Sequence, residues 1–164
     1  MEFNYMKKIL FLASLFIILS CSNENSTAAE LVTDDIIVSN LQIWIDTKEK
    51  VLTTLGKPNS KSLIHNEIDD INLTVWIYGK SELHFDKDYI YSFIINDESI
   101  NLTNLTPLNI GLSKERLEFF IKQNNFDYIK GSNSIRFPIK DSIYYLTIDL
   151  FEEKISQISI WQDN

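Results

Sequence analysis

Residues Ile71 to Gly79 read INLTVWIYG, an unbroken alternation that only an extended strand turns into two chemically distinct faces. Ile71, Leu73, Val75 and Ile77 fall on one face, Asn72, Thr74, Trp76 and Tyr78 on the other. The aliphatic set is the expected inward face, which leaves Trp76 and Tyr78 pointing away from the core. Around this strand, Ser81–Phe85 and Tyr89–Ile95 flank the turn Asp86-Lys87-Asp88 and predict a hairpin. A second set follows: Ser134–Ile139, Ser142–Leu150 and Lys154–Trp161, turning at Glu152-Glu153. In Ser142–Leu150 the residues Tyr144, Leu146, Ile148 and Leu150 share a face, opposite Tyr145, Thr147 and Asp149. The sequence therefore predicts antiparallel sheet, closed by short connections.

Two short helices precede these strand sets. In the first, Thr47 is placed to cap the free N–H groups, Val51, Leu52 and Leu55 face inward, and Gly56 with Pro58 ends the helix. In the second, Ser113 is the expected cap, Leu112 packs on Leu117 as a staple, and Leu117, Phe120 and Ile121 form one apolar face. Helices this short are unstable alone and must pack on the sheet. The two helix-and-strand sets also match each other. Asp46–Asn59 aligns on Leu112–Asn125 and Leu83–Ile95 on Ile148–Ile160, with one residue of slippage between the two matches. The reading is an α+β chain of two tandem helix-plus-antiparallel-sheet repeats, spanning 41–105 and 106–164, with sheets side by side or continuous.

Leu55-Gly56-Lys57-Pro58, Gly111-Leu112-Ser113-Lys114-Glu115 and the two closing hairpins resemble the tandem units of the β-lactamase inhibitor protein (BLIP) and the SmpA/BamE-type outer-membrane lipoproteins. That resemblance implies small helix-plus-meander domains. It is degenerate: Ile45 stands in the first unit where Gly111 stands in the second, and Lys122 and Asn124 replace Gly56 and Pro58.

Upstream, Lys7-Lys8, the apolar run Ile9–Leu19 and Ser20 follow the order of a secretory signal. The run is too short to span a bilayer, which takes about 20 apolar residues. Met6 would open a signal of ordinary length. Ile18-Leu19-Ser20-Cys21 resembles the bacterial lipoprotein cleavage box, so residues 1–20 are expected to be the signal peptide and Cys21 the lipidated N-terminus. The chain's single cysteine excludes an intramolecular disulfide. Residues 21–40 are the expected tether. Ser22–Glu30 is small and polar, and a coil from Ser22 to Asn40 would reach about 25 Å. Leu31–Val38 carries apolar residues that shorten the reach if they dock.

The whole chain carries 15 basic against 23 acidic residues, a net charge of −8. Losing Glu2, Lys7 and Lys8 makes the mature chain one charge more negative. Such a balance argues against nucleic acid, whose phosphates demand clustered Lys and Arg, and against an extended surface for anionic headgroups. His65 and His84 lie in different predicted elements with no metal-ligand spacing, so no metal and no cofactor are expected. Four glycines leave no phosphate loop. The carboxylate pairs Asp69-Asp70, Asp86 with Asp88, and Glu152-Glu153 read as solvated turns. No serine has a histidine base beside it, and the chain is not expected to be an enzyme.

What remains is an interaction module tethered to the bacterial cell envelope, in the outer membrane if the cell is Gram-negative, with an envelope protein as partner. Trp76, Tyr78, His84, Tyr145 and Trp161 are the expected partner-binding residues, because exposed Trp and Tyr bury much area at low entropic cost. Two alternatives stand beside it. One is an immunity or inhibitor lipoprotein that blocks a toxic or lytic enzyme; the other is an enzyme or carrier acting on cell-wall sugar or lipid.

Overall fold

The computed structural model describes residues 28–162. Cys21, the Lys7-Lys8 pair and the apolar run that frame the expected lipidation lie outside the described residues. The elements in order are a 3₁₀ turn (Thr33–Asp35), β1 (Ile37–Val38), β2 (Leu41–Gln42), α1 (Lys48–Leu55), β3 (Ser60–Asn66), β4 (Ile71–Tyr78), β5 (Ser81–Asp86) and β6 (Tyr89–Ile95). Then come α2 (Lys114–Asn124), β7 (Ile129–Lys130), β8 (Ser134–Pro138), β9 (Tyr144–Phe151) and β10 (Lys154–Gln162).

Strands β3 to β10 form one antiparallel sheet of eight strands, ordered β3-β4-β5-β6-β10-β9-β8-β7. This corrects the expected fold class and the resemblance to BLIP and SmpA/BamE units. The chain is mostly β, and its helices, of 8 and 11 residues, are minor elements laid on one large sheet. The physical reason lies at the centre. β6 and β10 pair through Ile95 with Ile158 and Ile94 with Ser159. That pairing satisfies two edges that separate units would each have left open. One apolar cluster then holds Val51 of α1, Leu117 and Ile121 of α2, and Phe93, Ile148 and Ile158 of the sheet.

Local chemistry explains most boundaries. Thr47 caps α1 by accepting from the Lys50 N–H at 3.4 Å, and Gly56 ends it at φ 78°. At α2 the expected cap differs. Ser113 has the extended backbone of a cap residue, but its side chain takes no helix N–H. Asn125 closes α2 in the left-handed conformation (φ 52°). Glu152 and Glu153 both have positive φ, as a tight hairpin turn requires. Leu55 is only half-buried, whereas Val51, Leu117 and Ile121 are core.

Two segments depart from the sequence pattern. β3 (SKSLIHN) has no alternation and is exposed over six of its seven positions. It is an edge strand, held by backbone pairing of Ser60–Asn66 with Ile71–Ile77 and scarcely by burial. The stretch after Thr27 packs onto the fold. Ala29 bridges to Phe126 and Leu31 to Ile139, and Leu31, Ile36 and Val38 are buried. Docking therefore wins over free coil in the second half of the expected tether.

Candidate functional site

Strand register assigns the faces of the sheet. Trp76 is opposite Leu83, and Leu83 is opposite Phe93, so all three share the face that packs on the helices. Trp76 is 3% exposed and lies 4.8 Å from the Phe85 ring; Tyr78 is 7% exposed and its hydroxyl donates to the Gly56 carbonyl. The expected orientation of β4 is thus reversed. Trp76 and Tyr78 are core residues, and Leu73 and Val75 lie outside the cluster that contains the helices. Alternation identifies two faces without naming the one that is covered. Trp76 and Tyr78 join the cluster that contains Val51 of α1, while Leu73 and Val75 are just as buried on the other face.

That second face, which no helix covers, carries Val75, His84, Ser159, Trp161 and Tyr145, since Val75 pairs with His84 and Trp161 with Tyr145. His84 belongs to this face yet is only 1% exposed, so it too is corrected from surface anchor to buried group. The Trp161 ring meets it in an edge-to-face contact, with the ring centroids 5.4 Å apart. His84 Nε2–H donates to Glu82 Oε2 at 2.8 Å, and its Nδ1 accepts from the Ser92 hydroxyl at 3.1 Å. Burial lowers the His84 pKa, against the partial support of Glu82.

Ser92, His84 and Glu82 therefore stand in a hydroxyl–imidazole–carboxylate line, the composition of a hydrolytic triad. The sequence hid this serine–histidine pair because the two residues meet across the β5–β6 hairpin at a bulge. Ser92 is fully buried, so no substrate carbonyl reaches its hydroxyl, and the line acts as a hydrogen-bonded strut between strands.

Tyr145 and Trp161 are half-exposed and remain available as anchors. They border a groove of about 450 Å³ with Arg136, Thr147, Asp149 and Ser159 on its walls. Gln157 donates to Asp149 at 3.3 Å. Burial raises the Asp149 pKa, and the Arg136 guanidinium pulls it back. The floor is polar and holds both signs of charge, with the two aromatic rings side by side at one end, where Trp161 is opposite Tyr145. Strand parity, and for Trp161 also the chain end, put these two rings among the expected binding residues; Arg136 and Asp149 join them through the β8–β9–β10 register, where Arg136 is opposite Thr147 and Asp149 opposite Gln157.

A second concavity lies near the ends of β2, β6 and β9, lined by Trp44, Tyr91 and Tyr144 among others. Sequence reasoning missed these rings because they come from three separate segments. Among the described residues, no group of three or more His, Cys, Asp or Glu side chains is arranged to hold a metal.

No family model matches the chain. No curated protein matches it either. Among solved structures, it is similar to an extracellular protein containing an SCP domain from Bacillus anthracis str. Ames, at 12% identity and a TM-score of 0.48. The match covers 87% of this chain and 49% of that one, so the chain spans about half the length of that structure. A likeness this slight carries no argument about fold or activity. No helix among the described residues is long and apolar enough to cross a membrane.

Proposed function

We propose that this chain is a lipid-anchored protein of the bacterial envelope whose folded part binds a protein partner through the helix-free face of β8–β10. The observation that carries the reading is the pairing of two half-exposed aromatic rings, Trp161 and Tyr145, over a polar groove that no helix fills. Such rings serve as anchors, because Trp and Tyr bury large area while keeping a polar group for the rim. Arg136 and Asp149 in the same groove give a partner both a donor and an acceptor to match. Anchoring through Cys21 follows from the signal-like order of the sequence before it.

Site-specific photo-crosslinking in the native host tests this. A crosslinker at Trp161 should join a discrete protein partner, and one at Phe119, which is 67% exposed on α2, should not. Tyr145→Ala should weaken the adduct without lowering the unfolding temperature. Equal crosslinking from both positions, or none from Trp161, refutes the assignment of the face.

A further inference from the structure

The concavity at the ends of β2, β6 and β9 is built differently from the groove. Its volume is about 580 Å³, within the usual range for small-ligand clefts. Three rings line it at steep mutual angles. Trp44 and Tyr144 lie 5.0 Å apart at 47°, Tyr91 and Tyr144 6.0 Å apart at 85°. Trp44 sits at φ 62°, a left-handed conformation that is an outlier for a bulky side chain and persists only where its surroundings enforce it. Here its backbone N–H donates to the Ile90 carbonyl at 2.7 Å, and its indole N–H donates to the Tyr91 carbonyl at 2.8 Å. From this position Trp44 lines the cleft.

The polar tips of these rings are engaged within the protein. The indole N–H is taken by Tyr91, the Tyr91 hydroxyl donates to Asp69, and the Tyr144 hydroxyl contacts that of Tyr91 at 3.2 Å. What these residues can still offer a ligand is ring surface. The charges on its walls are Asp34, Asp141 and Lys140, and Lys140 is paired with Glu30 at 3.1 Å. The balance is negative, which disfavours an anion. A neutral polyol or sugar needs convergent hydrogen-bonding groups; the ring hydroxyls and the indole N–H are already used, which leaves it only Thr33, Ser142 and the charged side chains of the wall. A primary ammonium would give its N–H groups to the wall carboxylates and leave the ring surfaces unused. A quaternary ammonium brings none, is attracted by the negative face of each ring, and gains from nearby carboxylates.

We propose that this cleft binds a trimethylammonium group against Trp44, Tyr91 and Tyr144. The group comes either from a free organic cation or from a lipid headgroup, and titration calorimetry on the full chain separates the two. The probes are choline chloride, glycerophosphocholine as the soluble headgroup, and 3,3-dimethylbutanol as the uncharged isostere of choline. Choline or glycerophosphocholine should bind at least about tenfold more tightly than the isostere. Tighter binding of choline assigns a free cation; tighter binding of glycerophosphocholine assigns the headgroup.

Affinity should fall in the order Trp44, Trp44→Phe, Trp44→Leu, following the strength with which each face attracts a cation. Trp44→Phe keeps an aromatic ring in place should the leucine variant fold poorly. Binding of the isostere as tight as that of choline, absence of binding by both charged probes, or equal affinity of the wild type and Trp44→Leu overturns the proposal.

Discussion

Replacing Asp97 by Asn removes one charge from a carboxylate that ties the β4–β5 turn to the segment leaving β6. Asp97 accepts from the Lys80 N–H at 2.6 Å, the Ser81 hydroxyl at 2.8 Å, the Ser99 N–H at 3.1 Å, and the Ser99 hydroxyl. The fit is tight. A Cβ on Gly79, which already sits at φ 61°, would lie 2.5 Å from Asp97 Oδ2. These donors, the Ser99 hydroxyl first, hold the Asp97 pKa down at about 2. Against an ordinary carboxylate near 3.9, that preference for the charged form corresponds to about 2.6 kcal/mol at neutral pH. Asp97 is half-exposed, and solvent screening reduces the value to about 1 kcal/mol.

The sign follows from proton binding. Between the two pKa values the unfolded chain holds more protons than the folded one, so the contribution is complete above about 3.9 and is lost as the pH falls through about 2. Urea unfolding should show Asp97→Asn less stable by about 1 kcal/mol at pH 7, with roughly half of that difference left near pH 3. A difference that stays constant from pH 7 to pH 3 would refute the charge argument and assign the loss to the shape of the turn.

Three further outcomes are expected. Leu117→Ala removes a fully buried side chain from beneath α2 and should cost about 3 kcal/mol in urea unfolding; a cost below about 1 kcal/mol would contradict its place in the core. Because burial depresses the His84 pKa, its stabilising contribution is complete above about 6.5 and declines as the pH falls below that value. A His84→Gln variant should therefore show a flatter stability profile between pH 7 and pH 5, and matching profiles would sink the assignment. Cys21→Ser should move the protein out of the membrane fraction, and labelled fatty acid incorporated by the serine variant would disprove lipidation at that position.

The sequence by itself determined the local structure where periodicity and terminal chemistry agree. Alternation in Ile71–Tyr78, the Asp86-Lys87-Asp88 and Glu152-Glu153 turns, and the Thr47 and Gly56 helix ends are properties of a few neighbouring residues, and they hold in the structure. Tertiary structure decided what depends on partners far along the chain. The β6–β10 pairing joins the strands into one eight-stranded sheet, where the sequence left open whether the sheets lie side by side or run on. The covered side of β4 was decided the same way. A period of two separates Trp76 from Val75 but carries no sign, and α1 and the Phe85 ring claim the Trp76 side. Tyr145 and Trp161 stay at the surface because their strands present them to the face the helices leave open. The Ser92–His84–Glu82 line and the Trp44–Tyr91–Tyr144 cleft exist only after folding, since a bulge, a left-handed tryptophan and three separated segments bring their atoms together.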